Sequence, residues 1–288
     1  MPSRGYLSPV RDQGSRGNAD VGPGRRPLRD FSAELMGTGL WQPWPDPLVV
    51  ETTPSTMAEV QGLAESGAPE GTVVVAEEQT AGRGRHGRTW ESAPYAGLWL
   101  SLLLRPEESP GRLGWLPLVI GLGVARSLRE LGADDAVLKW PNDVLLPGAA
   151  GVESMPGKVA GILAERLHDG AVVVGIGINV DHAPEELPEV ATSLGQSGYT
   201  GSREEVLVRV LAEVSRAYRA WTAGSDLRED YRRWCVTLGR DVTAQGPAGP
   251  IAGLATDVDD LGRLIVVGRD GTTTALSAGD VAIVRPPS

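Results

Sequence analysis

The feature that most constrains the fold is a change in the hydrophobic pattern near Gly239. Before this glycine, apolar runs typical of strands alternate with stretches in which apolar residues recur at helical spacing. After it, short strand-like runs broken by turns lie at 242–244, 251–258, 264–267, 272–276 and 281–284. This pattern predicts an α/β domain over residues 41–237 and a small β-barrel over residues 238–288.

Within the first domain, the strongest helix prediction covers residues 202–221, where Ser202 and Glu205 form a capping box ahead of a broad apolar stripe. Further helices are predicted at 55–66 and 113–131. Strands are predicted at 48–51, 72–76, 98–104, 137–140, 159–166 and 171–180.

Residues 1–40 are rich in glycine, proline, arginine and aspartate and lack hydrophobic periodicity. Segments of this composition bury too little apolar surface to stay folded. We therefore expect a disordered N-terminal tail, with the ordered chain beginning near Trp41. No apolar stretch follows the first charges of the tail, so it does not resemble a secretory signal.

Charge and cysteine content narrow the classes of function. The net charge of -10 argues against nonspecific binding of nucleic acid or of an anionic membrane. A single cysteine cannot close a disulfide within the chain, and three scattered histidines offer no zinc-ligand spacing. We expect a cytoplasmic protein without a structural metal.

Lysine is almost absent. Of the 27 basic residues, 25 are arginine, and only Lys139 and Lys158 are lysine. Codon bias explains the general replacement of lysine by arginine. A position that keeps lysine is therefore a candidate for chemistry that needs a compact ammonium, which a planar guanidinium does not imitate.

The densest candidate site is the sequence GRGRHGRTW at residues 82–90, here called the basic loop, which follows EQTA at 78–81. Its glycines allow the backbone to approach a ligand, and its arginines concentrate positive charge in an acidic protein. The pattern favours a loop that wraps a phosphate or carboxylate. A solvated basic loop and an RNA-binding arginine tract stay open as alternatives, because short motifs are weak signals.

Three further motifs place polar groups or glycines at predicted strands. The sequence KWPNDV at 139–144 runs from a strand into a turn, and GKVAGIL at 157–163 and VGIGINV at 174–180 hold glycines inside apolar strands. Such glycines often mark the close approach of a ligand. A hairpin turn with Trp140 in the core, and a helix packed on the glycines, are the alternatives. Since the chain has no Walker loop and no Ser-His-Asp arrangement, we expect binding and charge stabilisation of an anionic ligand.

Taken together and in this order, the motifs resemble those of biotin protein ligases over about residues 48–288. The resemblance implies an α+β fold, with a mixed β-sheet in a catalytic domain of the biotin/lipoate ligase type and a small SH3-like C-terminal β-barrel. It also implies the single-function type of ligase, without the DNA-binding winged helix of the family.

The resemblance assigns roles to matching positions. The implied biotin-binding residues are Ser55, Thr56, Gln79, Gly82, Arg83, Lys158, Gly161 and Gly175. The implied ATP-binding residues are Arg85, Arg88, Trp90, Lys139, Asn142, Asp143 and Asn179. The implied catalytic residues are Lys158, Arg83 and Arg85, and Asp143 is the implied Mg²⁺ ligand. Met57 and His86 depart from the family pattern, and the insertion at 147–156 has no physical explanation.

The implied reaction uses biotin and ATP as substrates, with Mg²⁺. Biotinyl-5'-AMP forms first, and the biotin is then transferred to a lysine of the biotin carboxyl carrier domain of acetyl-CoA or propionyl-CoA carboxylase. The implied protein is a monomer or weak homodimer that binds neither DNA nor membrane. Two alternatives stay open: a lipoate–protein ligase, which needs a longer slot without ureido partners, and an RNA-binding module, against which the net charge counts.

Overall fold

The computed structural model describes residues 25–29, 31–39, 44–91, 93–109, 111–146, 156–246, 249–277 and 281–284. Residues 1–24 of the predicted tail and residues 147–155 of the insertion lie outside the described residues. In the described part of the chain, no helix is both long and apolar enough to cross a bilayer.

The described residues form α-helices and β-strands, as the sequence predicts. The helices are α1 (Ser32–Gly37), α2 (Thr56–Glu65), α3 (Leu116–Glu130), α4 (Arg203–Thr222) and α5 (Arg228–Trp234). The strands are β1 (Leu48–Thr53), β2 (Val73–Gln79), β3 (Gly97–Leu104), β4 (Val137–Lys139), β5 (Asp143–Leu146), β6 (Gly157–Arg166), β7 (Val172–Asn179), β8 (Asp241–Gly246), β9 (Gly249–Val258), β10 (Leu264–Val267), β11 (Thr273–Leu276) and β12 (Val281–Ile283).

The first seven strands form one sheet in the order β1-β2-β3-β7-β6-β5-β4. Only the β1–β2 pair is parallel, and the other pairs are antiparallel, so the sheet is mixed. Alternate residues of a strand face opposite sides. Val73 and Val75 accordingly join the large core under α3 and α4, whereas Val74 joins a smaller core under α2. The expected α+β class with a mixed sheet is confirmed.

The last five strands form a separate antiparallel sheet in the order β11-β10-β9-β8-β12. The turn between β9 and β10 packs against the first domain. There the indole nitrogen of Trp115 donates to the carbonyl of Asp259 at 2.9 Å, and that of Trp140 donates to the carbonyl of Gly262 at 3.0 Å. The second sheet is therefore fastened directly behind the turn that carries Asn142 and Asp143.

The expectation of a disordered tail through residue 40 is wrong for residues 25–29 and 31–39. Phe31 and Leu35 are buried in the large core, one helical turn apart, and α1 packs against α4. A six-residue helix with one buried leucine, preceded by Phe31, is too short to show a period in the sequence, although these two residues suffice to hold the segment once α4 offers a surface.

We expect Leu35→Ala to destabilise the protein. Its side chain is fully buried, and leucine-to-alanine changes at such sites cost about 2 to 5 kcal/mol of unfolding free energy. Thermal unfolding should show a melting temperature several degrees below that of the wild type. Glu34→Ala, on the exposed side of the same helix, is the matched control and should leave it unchanged. Equal melting temperatures for the two variants would mean that α1 does not support the fold.

Candidate active site

The floor of the candidate site is a patch of the first sheet in which glycines leave space above the backbone. Adjacent strands align Trp99, Gly177 and Gly161 in one row and Ser101, Gly175 and Leu163 in the next. A Cβ at Gly177 would lie 2.6 Å from the Trp90 indole, and one at Gly161 would lie 2.8 Å from it. These glycines therefore leave the space that allows Trp90 to lie directly on the backbone of the sheet.

A narrow cavity, here called the slot, opens beside this floor and has about 470 Å³ of space including its opening. Its inner end is polar. The backbone N–H and hydroxyl of Thr56 donate to Oε1 of Gln79 at 2.9 and 3.1 Å, and the Thr56 hydroxyl lies 2.8 Å from that of Ser101. The slot is lined by apolar groups too, among them Leu100, Ile162 and Ile176.

Met57 forms part of the slot wall. Its side chain is buried, and its sulfur lies 2.9 Å from the position that a Cβ on Gly175 would take. The sequence shows Met57 only as a departure from the family pattern. In the structure, the thioether occupies the space above Gly175 and narrows the slot at this point.

The basic loop folds back on itself. The N–H of Gly84 donates to the carbonyl of Arg88 at 2.7 Å, and the N–H of Trp90 donates to the carbonyl of Gly82 at 2.9 Å. Between them, His86 has a φ of 56°, in the left-handed region that His enters more readily than most residues. The loop thus forms a compact hairpin that delivers Trp90 to the floor.

Two arginines of the basic loop reach other elements. Arg83 pairs with Glu165 on β6 at 3.1 Å, with both side chains partly exposed. Arg85 donates to Oδ1 of Asn142 at 3.0 Å and so links the loop to the turn between β4 and β5. Both arginines line the slot.

Lys158, near the start of β6, stands at the centre of the site. Its ammonium lies 2.6 Å from Oδ1 of Asp143 and 5.1 Å from the ring centroid of Trp90. Both charged side chains are partly exposed, at 29% and 20%, so a ligand can compete for the ammonium.

A second and wider cavity, here called the outer cavity, lies beyond Lys158 and has about 1700 Å³ of space including its opening. Trp90, Lys158, Arg85 and Asn142 line both cavities, so the slot and the outer cavity meet at these residues. An elongated ligand in the slot and a larger ligand in the outer cavity would therefore meet beside an ammonium and a guanidinium.

Nearly all the predicted site residues line one or both of the two cavities. The slot is lined by seven of those assigned to biotin, namely Ser55, Thr56, Gln79, Arg83, Lys158, Gly161 and Gly175. The outer cavity is lined by Arg85, Arg88, Trp90, Asn142, Asp143 and Asn179 of those assigned to ATP. Gly82 lines the outer cavity and is not part of the slot, and Lys139 lines neither cavity.

Asn179 is buried, and its amide supports the site from behind. It donates to the carbonyls of Lys158 at 3.3 Å and Thr192 at 3.0 Å. These bonds hold the strand that carries Lys158. The role predicted for Asn179 at the nucleotide stays a prediction.

Asp143 does not form a metal site with other described residues. Its carboxylate is engaged by Lys158, and in the described part of the chain no three or more His, Cys, Asp or Glu side chains cluster so as to hold a metal ion. A site built from protein ligands alone does not fit this donor set. The assignment of Asp143 to Mg²⁺ stays a prediction.

The motifs did not indicate the segment that closes one side of the outer cavity, residues 181–191, here called the wall loop. His182 lies in it, buried, with its ring 5.7 Å from that of Trp99 and with no hydrogen-bond partner for Nδ1. Burial lowers the pKa of His182 to about 4, so the ring is neutral at pH 7. The only signal in the sequence is that the wall loop directly follows the glycine-containing strand β7.

Comparisons with known proteins agree with this geometry. Residues 49–182 match the model of the Biotin/lipoate A/B protein ligase family, and residues 237–284 match the Biotin protein ligase C terminal domain. A "Biotin--[acetyl-CoA-carboxylase] ligase" of Mycobacterium tuberculosis is 42% identical over 269 residues, which are 90% of this chain and 95% of that protein. A "Bifunctional ligase/repressor BirA" of Bacillus spizizenii is 35% identical, over 86% of this chain and 75% of that protein.

A solved structure shows the same fold. The biotin protein ligase from Aquifex aeolicus, in complex with biotin and ATP, is 33% identical and superimposes with a TM-score of 0.71, covering 84% of this chain and 100% of that chain. The chain therefore belongs to the biotin/lipoate protein ligase family and, within it, to the biotin protein ligases.

We expect Gly177→Ala to displace Trp90 from the floor, because the new methyl group would lie 2.6 Å from the indole. In a ¹H–¹⁵N NMR spectrum the indole N–H resonance of Trp90, assigned with a Trp90→Phe variant, should move. Gly62→Ala on α2 is the control, since a Cβ at Gly62 meets nothing within 4 Å. An unmoved Trp90 resonance in the Gly177 variant would contradict this account of the floor.

Proposed function

We propose that the chain is an ATP-dependent ligase that activates biotin as biotinyl-5'-AMP and transfers it to a lysine of a carrier protein. The observation that carries the proposal is the meeting of a narrow slot and a wide cavity at Lys158. The slot takes biotin and the outer cavity takes ATP. The carboxylate of biotin and the α-phosphate of ATP then meet beside the ammonium.

The shape and polarity of the slot support biotin as its ligand. The ureido ring of biotin needs hydrogen-bond partners at one end, and Ser55, Thr56 and Gln79 supply polar groups there. The rest of the slot offers a flat glycine floor and apolar walls, which suit the thiophane ring and the aliphatic tail. Lipoate has no ureido group, so it would form no hydrogen bonds with these polar groups, and this end of the slot therefore favours biotin.

In the first step, a carboxylate oxygen of biotin attacks the α-phosphorus of ATP. An oxygen–phosphorus bond forms and gives a mixed carboxylic–phosphoric anhydride, the bond between the α-phosphorus and the oxygen that bridges to the β-phosphorus breaks, and pyrophosphate leaves. The step brings anions together, so its barrier depends on positive charge placed at the junction of the cavities. Lys158, Arg83 and Arg85 supply that charge by exchanging their present partners, Asp143, Glu165 and Asn142, for oxygens of the ligands.

Mg²⁺ enters with ATP as part of this substrate, since it commonly binds through nucleotide phosphates and only one or two carboxylates. Asp143 is the one predicted ligand, and it becomes free when Lys158 turns to the ligands. The chain's own contribution is therefore positioning and electrostatic stabilisation, which the lysine and the two arginines provide.

In the second step, the amine of the acceptor lysine attacks the carbonyl carbon of biotinyl-5'-AMP. An amide bond forms, AMP leaves, and the amine loses a proton. The acceptor is the biotin carboxyl carrier domain of acetyl-CoA carboxylase, and the carrier of propionyl-CoA carboxylase is a further proposed acceptor. We place the reaction in the cytoplasm and expect a monomer or a weak homodimer.

One experiment separates this function from its alternatives. The protein is incubated with ATP and either biotin or lipoate, and the acyl-adenylate is sought by mass spectrometry. Biotinyl-5'-AMP alone is the expected product. Lipoyl-AMP would show a lipoate ligase, and the absence of both adenylates together with salt-sensitive binding of RNA would show an RNA-binding module.

We expect Lys158→Arg to slow formation of the adenylate, although the charge is kept. A guanidinium cannot reproduce the compact ammonium between two ligands, and losing one contact in the transition state costs about 2 to 4 kcal/mol, roughly 30- to 1,000-fold in rate. Pyrophosphate release measures the effect. Lys139→Arg is the matched control, because the other lysine lines neither cavity. Normal release by the Lys158 variant would remove that residue from the mechanism.

We expect Arg85→Gly to keep the fold and to release biotinyl-5'-AMP. The lost hydrogen bond from the guanidinium to Asn142 costs at most about 3 kcal/mol of stability, which a folded domain tolerates, whereas a lost charge-assisted bond to the anionic intermediate speeds its release by about one to two decades. The free anhydride would then biotinylate lysines of an unrelated protein added to the mixture, as a biotin blot detects. Arg269→Gly, in an exposed turn of the second sheet, is the control. An unlabelled bystander with normal carrier labelling would show that Arg85 does not retain the intermediate.

A further inference from the structure

One arginine of the N-terminal segment, residues 25–29, contacts the wall loop at two points. The guanidinium of Arg25 donates to both carboxylate oxygens of Glu186, at 2.8 and 2.5 Å, and to the carbonyl of Asp181 at 2.7 Å. Glu186 also accepts from the N–H of Ala183 at 2.8 Å. Arg25 thus joins both ends of the 181–186 stretch, and its side chain is only 12% exposed.

The contact between Arg25 and Glu186, here called the clip, keeps its charges at neutral pH. The Arg25 guanidinium holds the pKa of Glu186 at about 2, well below its usual value. Both members of the pair are therefore ionised at pH 7. Bidentate arginine–carboxylate pairs have a defined geometry as well as a favourable energy.

The N-terminal segment is itself anchored to buried groups on the other side. The backbone N–H of Leu28 donates to Oε1 of Glu77, and Arg203 donates to the carbonyl of Arg26 and, at 2.8 Å, to Oε2 of Glu77. Glu77 and Arg203 are both buried. The backbone next to Arg25 is therefore fixed to the first sheet and α4, and this anchored segment positions the Arg25 side chain at the wall loop.

The wall loop forms one side of the outer cavity. Its residues on that side are His182, Glu186, Leu187, Pro188, Val190 and Ala191. The loop also pairs with the strand of the central lysine: the N–H of Lys158 donates to the carbonyl of Val190 at 2.9 Å, and the N–H of Thr192 donates to the carbonyl of Lys158 at 3.0 Å. None of the loop residues lines the slot.

From this arrangement we infer that Arg25 is a positioning residue for the nucleotide. It acts through Glu186, by fixing the wall loop at the distance from the basic loop that ATP requires. The inference rests on the proposed function, because it names the outer cavity as the ATP site. Arg25 does not reach the slot, so its loss affects ATP and spares biotin.

The test compares Arg25→Gln with Arg29→Gln. Arg29 belongs to the same segment, but its guanidinium contacts Glu204 on α4 at 3.4 Å and is mostly exposed. KM for ATP and KM for biotin are measured separately by pyrophosphate release. For Arg25→Gln we expect KM for ATP to rise about 5- to 20-fold, since small displacements of a binding wall weaken positioning, while KM for biotin stays within about twofold. Arg29→Gln should change neither constant.

Further variants separate positioning from general destabilisation. Glu186→Gln should reproduce the rise in KM for ATP, and the double variant should be no worse than either single one, because both changes break the same clip. Arg25→Lys, which keeps the charge and loses the bidentate geometry, should recover part of the affinity. Melting temperatures are recorded for all variants.

The outcomes are distinct. If the wild type forms no biotinyl-5'-AMP, the proposed function itself is wrong. If the wild type is active and KM for ATP of Arg25→Gln stays within about twofold, the inference about Arg25 is overturned. Equal rises of both KM values with a lowered melting temperature would also overturn it, since they would show a structural role only.

Discussion

The site depends on the absence of side chains at three positions of one sheet face. Gly161, Gly175 and Gly177 stand on neighbouring antiparallel strands, and any Cβ there would meet Trp90 or Met57 at less than 3 Å. Because a flat indole lies directly on the backbone, one ring can border both the slot and the outer cavity. A methyl group at Gly161 or Gly177 would displace Trp90, the ring that borders both cavities.

Positive charge at the junction is balanced within the protein. Lys158 and Arg83 contact carboxylates, and Arg85 contacts an amide oxygen. These partners neutralise or satisfy the cations without burying them completely, so under the proposed function their exchange for phosphate and carboxylate oxygens would cost little. Until then, the same partners hold the cations beside the junction.

The supports of the site come from distant parts of the chain. The turn between β9 and β10 of the second sheet holds Trp140, behind Asn142 and Asp143, through the carbonyl of Gly262. At the opposite side, Arg25 holds the wall loop through Glu186. The walls of the outer cavity are thus held by contacts from distant parts of the chain, whereas the slot is built by the first sheet, α2, the basic loop and the turn that carries Asn142.

The sequence by itself determined the local features: a mixed α/β pattern, the change to short strands after Gly239, and the motifs whose glycines and charges were assigned to one site. The patterns follow from periodicity and residue chemistry, which act over a few neighbours, whereas the assignment of the motifs to one site came from their resemblance to those of biotin protein ligases. Tertiary structure alone decided that Phe31 and Leu35 fold, that Met57 narrows the slot, and that the wall loop closes the outer cavity. Each of these depends on partners more than a hundred residues away, such as Glu186 for Arg25, or on a surface such as α4 that exists only after folding. Contacts of this kind leave no period in the sequence, because the free energy that fixes them comes from packing and charge pairing between elements.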